Sequence, residues 1–566
     1  MAEKTKVRPT TPIAQDTTVD LLVVGSGTGM LAAIAGRKAG LEVLLTESTD
    51  YIGGSTSLSG GGFWVPANSV LRESGVYDSK ELGLEYLDAL VGDTAPRERR
   101  VAFIENGPGV VELMKQTTPL NFQWATDYAD YHPEKPGGSA TGRSCEAKPV
   151  DLNEILGHWR PLLRKSALEA PVPMPITIRD YRWMNLMAKE PGKAIPAVVK
   201  RVGQGVGGMI FGREYVALGE ALAGGLFAGV IRAGIPFWVN AALTRLITGE
   251  NGAVTGAIVT QDGREVTVNT RKGVIISSGG FDHNMELRHK HQSDKLEDWS
   301  HGSPGNVGSA IQVAIDAGAD VDLMDQAWWF PSIAPLPGGA PTSMLAERSL
   351  PGSMMIGGDG KRFINEAIDY MSFGNEWMRR EREGNPLGDM WIVFDQEFKN
   401  SYVFGTVSMP RMPLPQEWYE AGIAVDAGTP AELAQKMGVP VDTFTDQLLR
   451  FNNMARTGYD RDFNRGASRY DNYYGDPKVM PNPNLRALKG KLYAVRIVPA
   501  DLGTCGGLKA DEHARVLNKD GQVIEGLYAT GNSAANAFGH YYPGPGATIG
   551  QGLVFGVIAA QDAAKR

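Results

Sequence analysis

Cysteine is scarce in this chain of 566 residues, which contains only Cys145 and Cys505. Two thiols cannot build the disulfide framework of a small secreted domain, and they fit a reducing compartment. The eight histidines are scattered, without CxxC or HxxxH spacing, so no metal centre is predicted. The net charge of −8 argues against a protein that binds nucleic acid.

Long apolar runs are also missing, since no stretch of 18 apolar residues occurs. Residues 1–18 are polar and lack the apolar core of a secretory signal, so we expect a flexible arm there. Residues 215–234 are the closest to a membrane span. They contain Glu220 and Arg232 and have helical periodicity, which favours a buried helix of a soluble protein. The expected location is therefore cytoplasmic.

Glycine, in contrast, is abundant, with 70 residues. The first glycine-rich turn follows the apolar run DLLVVG at 20–25, which predicts a buried parallel strand. An Ala-rich helix is predicted through residue 40, and a second strand over 41–47 ends on an acid, Glu47. Strand, glycine turn, helix, strand and acid form the dinucleotide-binding βαβ unit. An ordinary glycine-rich turn of an α/β sheet is the alternative.

The chemistry of this turn is specific. Gly25 and Gly27 would let the backbone N–H groups reach a pyrophosphate at the positive end of the helix. Glu47 would accept hydrogen bonds from ribose hydroxyls. The third glycine of the usual GxGxxG pattern is displaced: Gly29 comes one residue early, and Met30 occupies the expected position.

Further glycine-rich segments extend the predicted nucleotide site. The loop GGSTSLSGGGFW at 53–64 offers backbone and hydroxyl donors for a phosphate or a flavin ring, although it could be a plain flexible loop. Two buried strands, GVIISSGGF at 273–281 and GLYATGN at 526–532, also run into glycine. The candidate binding residues in these segments are Gly54, Ser55, Ser59, Gly60, Gly61, Gly279, Gly280, Gly531 and Asn532.

These segments predict one nucleotide-binding domain that a second domain interrupts. The first part covers 19–285, with an insertion at about 152–210 and a β-meander over 241–280, and the second part covers 485–566. The intervening region, 286–484, is richer in Trp, Met and Pro. The predicted fold class is therefore α/β, a Rossmann-like domain interrupted by an α+β catalytic domain.

Eight motifs occur in one order along nearly the whole chain. They are VVGSG, GGSTSLSGGG, GVIISSGGF, LMDQAWW, GKRFINEAIDY, DLGTCGGL, GLYATGN and YYPGPGATIG. Together they resemble the 3-ketosteroid Δ1-dehydrogenases, which are flavoproteins of the fumarate-reductase-like superfamily. The resemblance implies bound FAD, and the loop 53–62 has no histidine for covalent attachment. It also implies a 3-ketosteroid substrate, 1,2-desaturation of its A ring, and an external electron acceptor such as a quinone.

The resemblance also assigns residues. Tyr542 and the backbone N–H of Gly546 would hold the C3 carbonyl oxygen, and Tyr370, after an "NE" pair, would be the catalytic base. Tyr131 would support that base, because a tyrosine is a poor base at neutral pH. Gly546 and Ile549 would also contact the cofactor. Packing alone could explain any of these tyrosines, and Tyr128 competes with Tyr131 for the supporting role.

The sequence departs from the family pattern in three places. The segment GNVGSA at 305–310 lacks the acid of GNTGDG, Cys505 stands where lysine is common, and His132 replaces the second tyrosine of a DYY-like stretch. Other activities therefore stay open. They are a 4-ene-forming (5α) 3-ketosteroid dehydrogenase, a fumarate-reductase-like enzyme, and a flavin electron-transfer subunit without a substrate of its own. The oligomeric state is not predicted.

One segment of the insertion has an unusual composition. Residues 158–201 contain nine Lys and Arg against three acids, interleaved with Trp159, Trp183 and three methionines. Basic residues mixed with Trp, Met and Leu are typical of elements that lie on membrane surfaces. We hypothesise a peripheral membrane contact through 158–201. A protein–protein interface or a solvated basic face is the alternative.

Overall fold

The computed structural model describes residues 8–166, 172–405 and 408–566. The first of its two large sheets has eight strands, which come from residues 17–276 and 515–529. Thr17–Val24 lies between Val43–Thr46 and Arg264–Ile276, and all three run parallel. Arg264–Ile276 is parallel to Val523–Ala529. The other strands of this sheet are Phe237–Trp238, Ala241–Thr248, Val254–Gln261 and Arg515–Leu517.

The second large sheet has six strands, and those with assigned pairings run antiparallel. They are Ala327–Ile333, Thr342–Ser343, Ser353–Ile356, Met390–Asp395, Ala424–Ala427 and Leu492–Thr504. A small sheet joins Gly62–Trp64, Phe122–Trp124 and Ser144–Ala147. Two short pairs join Val150–Asp151 to Tyr215–Val216 and Val321–Asp322 to Gly507–Leu508.

Helices cover the faces of these sheets. Within the described residues the α-helices are Gly29–Lys38, Gly54–Leu58, Ser69–Glu73, Lys80–Val91, Arg97–Thr117, Leu152–Leu156, Ile178–Asn185, Pro191–Ile210, Leu218–Arg232, Met285–His291, Ser309–Asp316, Tyr370–Arg382, Gln396–Ser401, Gln416–Glu420, Pro430–Met437, Val441–Thr457, Arg469–Tyr473 and Ala547–Lys565, and the 3-10 helices are Gly157–Leu162, Glu347–Ser349 and Gly531–Ser533.

The predicted βαβ unit and the β-meander are confirmed. Thr17–Val24, Gly29–Lys38 and Val43–Thr46 follow one another as strand, helix and strand. Ala241–Thr248, Val254–Gln261 and Arg264–Ile276 pair antiparallel in sequence order. The C-terminal helix Ala547–Lys565 packs on Gly29–Lys38 through small residues, with Gly556 against Ala32. This contact brings the two ends of the chain into one unit, as the predicted fold class requires.

The structure adds detail to two predicted segments. Leu492–Thr504 lies in the six-stranded sheet although it follows residue 484, so the boundaries at 286–484 stay a prediction. Within the predicted arm, Ala14 is buried and donates its N–H to Gln261 Oε1. Residues 1–7 of that arm lie outside the described residues.

The apolar helix predicted within residues 215–234 is buried, as its periodicity indicated. Leu218–Arg232 is almost wholly buried, and Glu220 inside it meets Arg160. Among the residues that the structure describes, no helix is both long enough and apolar enough to cross a bilayer.

Candidate active site

Two buried tyrosines form the centre of the site. The hydroxyls of Tyr131 and Tyr370 are 2.6 Å apart and hydrogen-bonded, although 239 residues separate them in sequence. Burial raises the pKa of both phenols well above the usual value near 10. A phenolate here is therefore costly unless neighbouring O–H groups stabilise it.

The sequence before Tyr370 explains how this side chain is held. Tyr370 is the first residue of the helix Tyr370–Arg382, and Asp369 caps that helix by accepting a hydrogen bond from the N–H of Ser372. Glu366 of the "NE" pair is fully buried between Arg362 and Arg465. The "NE" pair therefore anchors the turn that presents the phenol.

Tyr542 and Gly546, the pair that the resemblance assigns to the carbonyl oxygen, lie close to each other. The Tyr542 hydroxyl accepts a hydrogen bond from Thr548 Oγ1 at 3.0 Å, and the backbone N–H groups of Gly546 and Thr548 also act on it. Burial raises the pKa of Tyr542, and these donors partly offset that effect. Gly546 immediately precedes the helix Ala547–Lys565, so its N–H belongs to the unpaired first turn and carries positive potential.

Glycine is required at position 546 for a physical reason. Its φ is +90°, and an added Cβ would lie 2.3 Å from the carbonyl oxygen of Gly62. A side chain would push the helix away from the small sheet. The absence of a side chain at Gly546 therefore has two effects. It lets the backbone approach Gly62 closely, and it leaves the Gly546 N–H uncovered by a side chain.

The loop 540–546 is fixed from several directions. The N–H of Tyr131 donates to the carbonyl of Pro543 at 3.1 Å, and Tyr86 Oη donates to the same carbonyl at 2.7 Å. Ser144 Oγ donates to the carbonyl of Pro545 at 2.6 Å. These hydrogen bonds fix the loop 540–546 relative to Tyr131 and the small sheet.

Aromatic rings enclose the three tyrosines. Ring centroids of Tyr370 and Tyr542 are 5.4 Å apart, and those of Tyr131 and Tyr542 are 5.2 Å apart. Trp328 packs edge-on against Tyr542, and Phe330 packs against Tyr370. Both come from the strand Ala327–Ile333, which joins the site to the second sheet. This enclosure gives a water-poor, apolar site.

The glycine turn predicted to bind a pyrophosphate leaves no room for a side chain at its first glycine. Gly25 has φ +104°, and an added Cβ would lie 2.2 Å from the carbonyl oxygen of Ser277, so only glycine fits. Gly27 and Gly29 lead into the helix Gly29–Lys38. Glu47 accepts hydrogen bonds from Ser26 and Thr49. These bonds hold its carboxylate at the end of its strand.

Several buried polar atoms at the strand ends have no partner within the described residues. They are Thr46 Oγ1, Ser277 Oγ and Thr530 Oγ1. All three lie at the carboxyl ends of strands in the eight-stranded sheet, where α/β proteins bind nucleotides. A buried hydroxyl without a partner is costly. These atoms and the glycine turn therefore suit a dinucleotide cofactor.

The loop 53–61 lies against this turn, and the GNVGSA segment supports it. Ser55 Oγ accepts hydrogen bonds from the N–H of Ser303 and from Asn306 Nδ2. Gly54 and Gly61 have positive φ, and Ser59 Oγ donates to the carbonyl of Thr56. Although GNVGSA lacks the acid of the family pattern, its Asn306 still contacts the loop 53–61.

The other predicted cofactor residues occupy different surroundings. Gly279 packs on Asn306, Gly280 on Thr504, and Gly531 has φ +60°. Asn532 Oδ1 accepts a hydrogen bond from Trp328 Nε1 at 3.0 Å, so Asn532 also orients the aromatic wall. Ile549 is buried in the first turn of Ala547–Lys565, and Gly60 is exposed. Their contacts with FAD stay predictions.

Sequence reasoning missed several residues that shape the site. Tyr86 and Trp328 reach the loop 540–546 from segments that are hundreds of residues away in sequence. Thr548 and Phe330 have nearer partners, Tyr542 and Tyr370, but no sequence pattern marks these side-chain contacts. Cys505 is buried and burial raises the pKa of its thiol well above the usual value, as expected of an unreactive cysteine.

Comparison with known proteins agrees with this geometry. A family model described as FAD binding domain matches residues 20–549. A 3-oxosteroid 1-dehydrogenase of Mycolicibacterium smegmatis is 40% identical, covering 96% of this chain and 97% of that protein. A 4-oxocyclohexanecarboxylate 2-dehydrogenase of Sinomonas cyclohexanicum is 32% identical, covering 97% and 93%.

Solved structures show the same similarity. The 3-ketosteroid Δ1-dehydrogenase of Sterolibacterium denitrificans, crystallised with 1,4-androstadiene-3,17-dione, superposes with a TM-score of 0.91 at 35% identity, covering 97% of this chain and 99% of that one. The Δ4-(5α)-dehydrogenase of Rhodococcus jostii shares the fold at 19% identity and a TM-score of 0.67. The chain therefore binds FAD and belongs to the 3-ketosteroid Δ1-dehydrogenase family of FAD-binding flavoproteins.

Proposed function

We propose that the protein removes the hydrogens at C1 and C2 from the A ring of a 3-ketosteroid. The observation that carries this proposal is the convergence of Tyr370, Tyr131, Tyr542 and Gly546 in one buried site. The C3 carbonyl oxygen and the C2 hydrogen sit on neighbouring substrate atoms. A carbonyl-binding group and a base must therefore be neighbours, as Tyr542 and Tyr370 are.

The carbonyl end acts as an oxyanion hole. Tyr542 donates its hydroxyl proton to the carbonyl oxygen, and Gly546 donates its backbone N–H from the helix N-terminus. Negative charge develops on this oxygen as the C2 proton leaves. The donors are fixed before the substrate arrives, so they need no reorganisation at that moment.

The base end removes the proton from C2. Tyr370 accepts this proton as its phenolate, while the Tyr131 hydroxyl donates to Tyr370 and stabilises the anion. FAD, when bound along the glycine turn, supplies the acceptor for the hydride from C1. We propose a quinone or a similar compound as the external electron acceptor.

Anaerobic addition of a 3-keto-4-ene steroid should bleach the visible absorbance of the flavin and give the 1,4-diene. Absorbance spectroscopy and mass spectrometry of the product measure both events. A 5α-reduced 3-ketosteroid and 4-oxocyclohexanecarboxylate serve as comparison substrates. The names of two similar proteins indicate these compounds as their substrates. Bleaching by neither steroid would contradict the proposal. Bleaching with a 4-ene product would favour the 5α enzyme.

We also propose that the insertion region touches a membrane. On the helix Pro191–Ile210 and the residue after it, apolar side chains form an exposed ridge, with 38% to 81% of each residue accessible. This apolar ridge consists of Ile195, Val199, Val206, Met209, Ile210 and Phe211. Exposed Lys193 and Lys200 flank it, which suits anionic lipid.

The ridge refines the compositional hypothesis for 158–201. Trp159 packs inward on Phe237, and Trp183 is covered by Arg182 and Lys193, so these indoles do not form the apolar surface. The exposed apolar side chains continue to residue 211 instead. Residues 167–171 of the segment lie outside the described residues. Extraction of a poorly soluble sterol from a bilayer would benefit from such a surface.

Vesicle flotation tests this contact. The triple variant Ile195→Gln, Val199→Gln and Ile210→Gln should bind phosphatidylglycerol vesicles at least about tenfold more weakly than the unchanged protein, since each large apolar side chain buried in lipid contributes ~1.5–3 kcal/mol. Leu449→Gln, at an exposed apolar residue far along the chain, is the matched control. Equal flotation of the triple variant and the unchanged protein would exclude the ridge as a docking surface.

A further inference from the structure

One arginine of the basic segment 158–201 lies beside the predicted nucleotide site. A terminal guanidinium nitrogen of Arg164 donates to Thr49 Oγ1 at 2.9 Å, although 115 residues separate the two in sequence. Arg164 is partly buried and follows the 3-10 helix Gly157–Leu162 in the predicted insertion. The basic composition of the segment gave no reason to expect a cation at this place.

Backbone contacts fix the position of Arg164. Its N–H donates to the carbonyl of Ile52 at 2.9 Å, and the N–H of Ile52 donates to the carbonyl of Leu162 at 2.8 Å. The carbonyl of Arg164 accepts a hydrogen bond from Ser57 Oγ. Ile52 precedes the loop 53–61 and Ser57 lies within it, so Arg164 is joined to a predicted cofactor-binding element at two points.

A series of side-chain hydrogen bonds connects Arg164 to the glycine turn. Thr49 Oγ1, which accepts from Arg164, donates to Glu47 Oε1 at 2.8 Å. The other carboxylate oxygen of Glu47 accepts from Ser26 Oγ at 2.6 Å, and Ser26 lies within the turn. The guanidinium therefore lies at the carboxyl edge of the sheet, where α/β proteins bind nucleotides.

The cation of Arg164 has a stacking partner but no counter-ion. Its guanidinium carbon lies over the Tyr51 ring, 5.6 Å from the centroid. Arg8 lies over the same ring at 5.3 Å, but its charge is paired with Asp50 at 3.3 Å. Among the described residues no carboxylate forms an ion pair with Arg164, and its buried Nε has no hydrogen-bond partner. The charge of Arg164 is therefore available to a ligand.

The cofactor has the chemistry that this cation lacks. FAD contains a pyrophosphate, and when FAD is bound along the glycine turn its negative charges approach the carboxylate of Glu47. Like charges in a buried site repel each other, so a cation beside Glu47 lowers the free energy of the bound state. Arginine suits this position, because its planar fork binds phosphate oxygens while its face stacks on an aromatic ring.

We infer that Arg164 is a cofactor-binding residue, which holds the ribose–pyrophosphate end of FAD from the insertion region with Tyr51 as its stacking partner. The contribution is an electrostatic attraction, and no covalent bond forms or breaks. The inference depends on FAD binding alone. It is independent of the steroid reaction proposed above.

The test is the rate at which FAD leaves the holoenzyme, followed by flavin fluorescence after dilution. Arg164→Gln should release FAD at least about tenfold faster, because it loses a charge-assisted interaction. Raising NaCl from about 0.05 M to about 0.5 M should speed release from the unchanged protein, because salt screens the attraction. The same increase in salt should speed release from Arg164→Gln much less.

Lys165→Gln is the matched control. Lys165 is the next residue in the chain, it is exposed, and its loss changes the net charge by the same amount. This variant should release FAD at the rate of the unchanged protein. Arg164→Lys keeps the charge and loses the planar fork, so its release rate should lie between those of Arg164→Gln and the unchanged protein, with the salt dependence retained.

Three results would overturn the inference. They are an unchanged release rate in Arg164→Gln, an equal acceleration in Lys165→Gln, and a full salt dependence in Arg164→Gln. The last result would show that Arg164 only anchors the loop through Thr49. If Arg164→Gln is isolated without FAD, Arg164→Lys decides, since a salt-independent release rate in that variant would exclude a role for the charge. These measurements need no steroid, so a failure of the proposed function would leave them unaffected.

Discussion

Replacing Tyr370 by phenylalanine is expected to slow flavin reduction by the steroid about 10²–10⁴-fold, the usual range for loss of a general base. Phenylalanine keeps the ring contacts with Phe330 and Tyr542 and removes only the hydroxyl that accepts the proton. Substrate binding should change little. The measurement is the limiting reduction rate and the substrate dissociation constant in anaerobic stopped flow.

The pH dependence gives the same assignment independently. Burial raises the pKa of Tyr370, so at neutral pH most of the enzyme carries the neutral phenol. Below that pKa the ionised fraction increases about tenfold per pH unit, so the reduction rate should rise from pH 6 to pH 9. A rate that falls steadily over this range in folded protein would exclude a tyrosine base.

A suitable control is Tyr402→Phe. Tyr402 is also a buried phenol of the predicted second domain, 286–484. Its hydroxyl donates to Asp476 at 2.7 Å, away from the tyrosines of the site. This variant can lose stability, but it should keep the reduction rate and the pH profile. A comparable loss of rate in Tyr402→Phe would show that the Tyr370 effect is structural.

Replacing Tyr542 by phenylalanine has the second-largest expected effect, a loss of about 10²–10³-fold in the reduction rate. The missing hydroxyl leaves the developing oxyanion with the Gly546 N–H alone. Because the carbonyl is bound before reaction as well, substrate affinity should also fall. Titration of the steroid against flavin fluorescence and stopped-flow reduction measure the two effects separately.

Tyr541→Phe is the matched control for this prediction. Tyr541 is the preceding residue on the same loop, and it is only half-buried. A rate in Tyr541→Phe as low as that in Tyr542→Phe would indicate a disturbed loop rather than a lost donor. Gly546→Ala is a poor substitute for Tyr542→Phe, since the added Cβ would meet the backbone of Gly62.

Local sequence was sufficient for the nucleotide-binding half of the molecule. A buried strand, a glycine turn and a helix depend on neighbouring residues. The sequence of residues 20–47 was therefore enough to predict the βαβ unit and the turn at Gly25. The motif order along the chain likewise identified the family. The sequence did not show that Leu492–Thr504 joins the second large sheet, because its pairing with Ala327–Ile333 is a contact across more than 150 residues.

The sequence by itself determined that this protein is a flavoprotein with a βαβ nucleotide-binding unit, and it gave Tyr131, Tyr370, Tyr542 and Gly546 as candidate site residues. Only the tertiary structure decided how they meet. Tyr131, Tyr370 and Tyr542 come from three segments that lie far apart in the chain. The carbonyl of Pro543 binds Tyr131 and Tyr86, and the hydroxyls of Tyr131 and Tyr370 are hydrogen-bonded to each other. A sequence motif reflects the conformation that the local backbone must adopt. The convergence of the tyrosines depends instead on packing between elements that are distant in sequence.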